Sequence, residues 1–296
     1  MKYKSIKAFL KPYKLFLAFY IFKMFKSFTI CNSEETINNI VSSNLSISRF
    51  GDGEFAIMQH GGTGFQDANP LLADRLLEIL NSVGSNSQHI VCLPYPIESL
   101  DELGAEAKIF WHDFIASNCR YLLKTIPHFS HYYDTNFTRF YIDFRDKSRC
   151  RHKIDNIKRI WQDRNVVIVE GNGTRMGVNN DLLYGAASIR RIICPSTNAF
   201  DIYDQIIDYI LNHIEKTSLI LCALGMTATV LAFDLSKAGY QSIDIGHLDI
   251  EYEWFLMNAL EKCPIEGKSV NECGVRDPDQ IDSFDYQAQI IHTIKR

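Results

Sequence analysis

Six short, nearly continuous apolar runs recur along this chain, at residues 46–50, 89–93, 166–170, 189–194, 218–224 and 242–245, with amphipathic stretches between them. A strand with one solvated face alternates apolar and polar residues. A strand that is apolar almost throughout is buried on both faces, as in a parallel sheet covered by helices. The intervening pattern predicts helices over 70–81, 104–118, 199–214 and 227–238. The fold class is therefore α/β, with a mostly parallel sheet and helices on both faces. A hydrophobic content of 46% over 296 residues supplies the core this needs. The chain divides into a basic, aromatic-rich arm at 1–33 and one α/β domain at 34–296, since no repeat or Gly/Ser linker interrupts the latter.

Open parallel sheets bind ligands outside the carboxyl ends of their strands, so the strand ends form a functional inventory. After the first run, Arg49 and Gly51 precede Asp52-Gly53-Glu54. Two carboxylates on either side of a glycine, read as a turn, suit Mg²⁺ or Mn²⁺ shared with phosphate oxygens and water. The plain alternative is a solvated polar turn. After VVIVEG comes NGTRMGVNND, where Arg175 offers a forked donor suited to a diphosphate. After RIICP, the trio ending at Asn198 either caps a helix or meets a base or ribose.

The run LILCALG leads through Gly225 into Thr227, Ala228 and Thr229 at a predicted helix start, where free N–H groups and the helix dipole favour an anion. Neither a Walker loop nor a G-x-G-x-x-G motif follows any strand. Near the end, His247, Asp249, Glu251 and Glu253 alternate after the last run. Read as an extended segment, the alternation puts all four on one side. That costly crowding points to an active-site rim holding a general base, with Asp249 and Glu251 the first choices; the plain alternative is that these groups pair with Arg or Lys elsewhere and hold the carboxyl-terminal part in place.

Net charge is −4, yet residues 1–30 hold seven lysines and no acid, which leaves −11 on the remainder. So acidic a body argues against nucleic-acid binding. The arm's apolar stretch from residue 15 to residue 22 is too short to span a bilayer. Such an arm either lies in an anionic membrane interface or docks on the body as a helix. The eight cysteines form no C-x-x-C pair, which fits a reducing cytoplasm.

Taken in order, RFGDGE, FTRFYIDFRDKS, IWQDRNVVIVEGNGTRMGVNNDLL, SIRRIICPSTNAFDIYDQI, LILCALGMTATVLAFDLSKAGYQSIDIGHLDIEYEWF and GKSVNE resemble bacterial glycosyltransferases of the GT-D fold type, from about residue 40 to residue 275. The resemblance implies a Rossmann-like enzyme that uses a UDP-sugar donor and a divalent metal, with Asp52 and Glu54 as the D-x-E pair serving metal and diphosphate. Met226 stands where proline is expected, and Asn179 where glycine is expected.

The expected reaction moves a hexose to a glycan or lipid-linked glycan acceptor, in surface polysaccharide or glycoprotein glycan synthesis at the cytoplasmic membrane face. Two alternatives use the same residues. One is a metal-dependent hydrolase of sugar phosphates or nucleotide-sugars, and the other a non-catalytic nucleotide-sugar-binding subunit.

Overall fold

The computed structural model describes residues 2–275, 278 and 283–296. In chain order its strands are β1 (Thr29–Ile30), β2 (Ser46–Arg49), β3 (His89–Leu93), β4 (His131–Asp134), β5 (Asn165–Gly171), β6 (Ser188–Cys194), β7 (Leu219–Ala223), β8 (Gln241–Asp244) and β9 (Ile290–Thr293). The α-helices are α1 (Lys2–Phe25), α2 (Ser33–Ser43), α3 (Asp52–Met58), α4 (Pro70–Asn81), α5 (Ala105–Thr125), α6 (Cys150–Lys158), α7 (Tyr203–His213), α8 (Met226–Lys237), α9 (Leu248–Leu256) and α10 (Phe284–Gln289).

Among the described residues the strands form one sheet in the order β1-β4-β3-β2-β8-β7-β5-β6-β9, with every pairing parallel. Successive side chains of a strand point to opposite faces, and the core divides accordingly. Val167 and Val169 of β5 and Ile220 and Cys222 of β7 join α4, α5, α7 and α8 in one apolar cluster. Val166, Ile168, Leu219 and Leu221 join α2, α6 and α9 in the other. Both faces are thus covered, as the continuous apolar runs require.

All six anticipated strands are present within one or two residues of their expected limits. Strands β1, β4 and β9 carry too little apolar length to be read from sequence, and β1 lies within the span assigned to the arm. Helix α4 begins at Pro70, whose missing N–H suits a first turn, behind an Asn69 side chain that accepts from Leu72 N. The stretch 199–214 splits into a 3-10 turn, Ala199–Ile202, and α7.

Two expectations of local conformation are corrected. Asp52-Gly53-Glu54 is the first turn of α3 and not an open turn, with Gly51 at its N-cap. Segment 247–253 is likewise not extended: Leu248–Leu256 is helical, so the four side chains do not share one side. Its Ile250, Tyr252 and Trp254 are buried. Leu248, Tyr252 and Phe255, at i, i+4 and i+7, pack into one apolar cluster, and this helical pattern outweighs the period-2 pattern of charges.

Candidate active site

From β2 the chain proceeds outward to β3 and β4; it then crosses to β5 and β6 and returns through β7 to β8, beside β2. The order reverses between β2 and β8, and the crevice at their carboxyl ends is where a sheet of this type takes its ligand. A cavity of about 930 Å³ opens there, lined by Arg49, Asp52, Glu54, Asp244 and His247 among others. A smaller one of about 100 Å³, over the ends of β5 and β6, shares Phe65, Gly225, Gly246, His247 and Asn271 with it. The two are therefore one continuous cleft.

Glu54 Oε2 accepts from Gly51 N at 2.6 Å, a capping box that fixes the start of α3 at the cavity floor. Burial, and then the charge of Asp244, push the Glu54 carboxyl up to about 7. Asp52 stands exposed at the first helical position. Buried Asp244 faces Arg49 Nη1 across 3.3 Å and accepts from Thr229 Oγ1 at 3.1 Å. Glu54 and Asp244 thus share the Arg49 guanidinium, and Asp52 stands exposed on the same cavity. These hard oxygen donors, open to a large cavity, fit Mg²⁺ or Mn²⁺ completed by water and substrate phosphates.

The group of His, Cys, Asp and Glu side chains close enough to chelate a cation by themselves, among the described residues, is Cys31, Glu35 and His131. They line neither part of the cleft.

The glycines of the site have geometric reasons. Gly225 has φ +55°, and a Cβ there would lie 2.4 Å from the Phe65 ring. Thr227, Ala228 and Thr229 are fully buried and do not line the cleft, whereas Gly225 and Met226 do. Met226 Cε reaches to 2.4 Å of where a Cβ on Gly53 would be, so the D-x-E glycine makes room for this methionine.

Asn198 does not cap the following turn. Its side chain accepts from Asp67 N at 2.7 Å and donates to Asp67 Oδ2 at 2.7 Å, holding the 63–68 loop over the cleft. Arg175, with φ +49°, is buried and donates from Nη1 to Gly267 O at 2.5 Å, and it lines neither part of the cleft. Asn179 adopts φ +64°, the left-handed conformation that asparagine tolerates in place of glycine.

The four residues after β8 separate. Asp249 Oδ2 and Glu253 Oε1, one helical turn apart, each lie 2.7 Å from the Nζ of fully buried Lys268. Asp249 Oδ1 also accepts from Gly177 N and Asn180 Nδ2, so the pair clamps the loop after β5 to α9. Glu251 points elsewhere: its Oε2 accepts from the N–H groups of Tyr141 and Ile142, each at 3.0 Å. Burial raises it to about 7, against the pull of Arg139.

His247, at the N-cap of α9, lines both parts of the cleft. Burial pushes its imidazole down to about 4, so it is neutral at pH 7. Its Nδ1 is 3.8 Å from Glu272 Oε2, whose carboxyl sits down at about 2: burial opposes this, and cationic neighbours overcome it. His247, protonated at the low pH where this carboxyl titrates, lowers it most, and Arg139, 2.5 Å from Glu272, comes second.

Asp244, Arg139, Glu272 and Lys268 are site or site-supporting residues that the sequence reading does not single out. Asp244 ends a recognised strand. The other three lie within the blocks FTRFYIDFRDKS and GKSVNE, with no spacing that links them to β8.

Residues 47–273 match the family model described as Glycosyltransferase GT-D fold. The chain is 35% identical over 267 residues to the probable glycosyl transferase Gly of Streptococcus gordonii, covering 90% of this chain and 39% of that protein. It is 37% identical over 265 residues to glycosyltransferase GlyD of Streptococcus pneumoniae serotype 4, covering 88% and 32%. The chain therefore spans about a third to two-fifths of the length of these curated relatives.

A solved structure described as the highly conserved domain of unknown function 1792 with a distinct glycosyltransferase fold superposes with a TM-score of 0.89 at 36% identity, over 94% of this chain and 99% of that one. A further one, described as a new glycosyltransferase from Streptococcus sanguinis, gives 0.86 at 34%, over 90% and 100%.

Proposed function

The chain belongs to the glycosyltransferases of the GT-D fold, and from that premise we propose that it transfers a hexose from a UDP-sugar to a glycan or lipid-linked glycan acceptor. The reaction serves surface polysaccharide or glycoprotein glycan assembly at the cytoplasmic face of the membrane. The observation that carries this reading is the position of Asp52, Glu54 and Asp244 on the floor of the cleft, at the β2/β8 reversal point.

In this reading Asp52 and Glu54 hold a divalent cation, Mn²⁺ or Mg²⁺, with Asp244 behind them. Such a cation would neutralise charge on the departing diphosphate. Arg49, kept in place by Asp244, adds positive charge at the same floor, and the backbone at Gly225 and Met226 allows close approach of an anion to the start of α8. The uridine end fits the narrower part of the cleft, beneath the loop that Asn198 holds.

Of the four residues after β8, we assign proton transfer to His247. Asp249 and Glu253 are both tied to Lys268, and Glu251 is turned toward backbone N–H groups. His247 is neutral and faces the cleft, so its free imidazole nitrogen can take the acceptor hydroxyl proton. Glu272 and the anionic donor then stabilise the imidazolium, raising a pKa that is low in the empty cleft. Arg175 becomes a support for the 265–270 loop, without a diphosphate contact of its own.

The test is UDP release from UDP-sugars with and without oligosaccharide acceptors, in the presence of Mn²⁺. Release that depends on acceptor and is stoichiometric with glycan product supports transfer. Release to water at full rate supports the hydrolase reading, and donor binding without turnover the binding-subunit reading.

A further inference from the structure

Over residues 13–25, where its side chains are described, helix α1 docks on the body by one side. Phe22 is fully buried, the Phe19 ring lies 4.7 Å from that of His112 on α5, Lys23 Nζ donates to Ile97 O at 3.0 Å, and Lys26 pairs with Glu98 at 2.7 Å. The alternative of a docked helix thus holds for this side. The opposite side has the reverse character from a solvated helix face. From residue 16 to residue 25 every exposed side chain is large and apolar: Phe16, Leu17, Tyr20, Ile21, Met24 and Phe25, each between 37% and 72% exposed. Positions 16, 17, 20, 21, 24 and 25 form one continuous stripe at helical spacing. An exposed apolar patch of this size marks an interaction surface.

We propose that this stripe lies in the interfacial region of an anionic lipid bilayer, with the helix axis parallel to the membrane plane. The composition of the helix points to this occupant: lysines suit the headgroups, and the exposed aromatic and aliphatic side chains suit the acyl boundary. The same helix carries Lys2, Lys4, Lys7, Lys11 and Lys14, and no acid occurs before Glu34. The side chains of the first four lysines lie outside the described residues, but their charge stands beside the stripe in sequence. Aromatic and aliphatic side chains flanked by lysines are the composition that binds headgroups by charge and the acyl boundary by apolar area.

No described helix is long and apolar enough to cross a membrane, so the seating is at the surface. Helix α1 packs on α5, whose Ala105, Glu106, Ala107, Phe110 and Trp111 line the cleft. A surface-seated α1 therefore holds the cleft close to the bilayer. This inference rests on the exposed stripe and not on the transferase reading; vesicle binding and turnover can each fail without the other.

The test is co-sedimentation of the full chain with phosphatidylcholine vesicles with and without phosphatidylglycerol. We expect binding to the anionic vesicles that weakens with salt. Phe16→Glu/Tyr20→Glu should lower the partition coefficient at least tenfold without changing the melting temperature, because both side chains are exposed. Replacing the five lysines by glutamine should cost roughly fivefold for each charge removed, the equivalent of about 1 kcal/mol per lysine. Equal binding to both vesicle types would overturn the anionic assignment. A dimer in vesicle-free solution that Phe16→Glu/Tyr20→Glu dissociates, with no vesicle binding by the original chain, would give the stripe to a second copy.

Discussion

A Cβ on Gly246 would stand 1.8 Å from Nη1 of Arg49, so the guanidinium at the end of β2 occupies space that only a glycine after β8 leaves open. Gly246 also has φ +51°, where any other side chain is strained. Gly246→Ala should therefore displace Arg49 from Asp244 and lower stability by about 1–3 kcal/mol. Donor affinity, measured by calorimetry, should fall at least tenfold. Unchanged affinity would remove Arg49 from the donor site.

Asp52 is exposed and has little packing to lose. Asp52→Asn should leave the melting temperature of the ligand-free protein unchanged while abolishing the extra stabilisation by UDP and Mn²⁺, about 2.7 kcal/mol at 100 times the dissociation constant. Glu54→Gln should do the same and also cost about 0.5–1 kcal/mol without ligand, since its capping bond to Gly51 is weakened. Retention of Mn²⁺-dependent stabilisation in both variants would exclude the pair as the metal ligands.

His247→Gln should reduce kcat by roughly 10²-fold or more with little change in donor affinity, the loss expected of a general base. The activity comparison with Glu251→Gln separates the candidates: a larger loss of kcat in Glu251→Gln, at unchanged stability, would return the role to that carboxylate.

Lys268→Met leaves Asp249 and Glu253 facing each other without their shared cation. Urea denaturation should show a loss of about 3–5 kcal/mol, the usual result of breaking a buried pair from one side. A cost below about 1 kcal/mol would mean that the two acids are solvated and available for chemistry.

His89 is buried with Nε2 3.0 Å from Ser48 Oγ, and burial holds its imidazole down at about 4. Between pH 4 and 6.5 the unfolded chain binds a proton there that the folded chain does not, so stability rises with pH across this window and is lost as pH falls. Relative to His89→Gln, the original protein should lose up to about 3 kcal/mol from pH 7 to pH 4. Parallel stability curves for the two proteins would contradict the assignment.

Much of the fold was legible because it rests on local pattern. The six apolar runs are six of the nine described strands, since burial on both faces of a parallel sheet demands such residues wherever the strand lies. Asp52, Glu54, Gly225 and His247 could be named in advance for a related reason, because they follow strand ends where such a sheet binds ligands.

The order of those strands depends on which helices cross which face. Only the tertiary structure put Asp244 beside Arg49, brought Arg139 and Glu272 to His247, and gave Asp249 and Glu253 to Lys268. The alternating acids after β8 could not be assigned from spacing, because packing of Leu248, Tyr252 and Phe255 made the segment a helix and sent its charges to separate partners. Sequence fixes which residues can be buried or charged. Which charges meet is decided by contacts between residues distant in the chain, where desolvation makes each unpaired group costly.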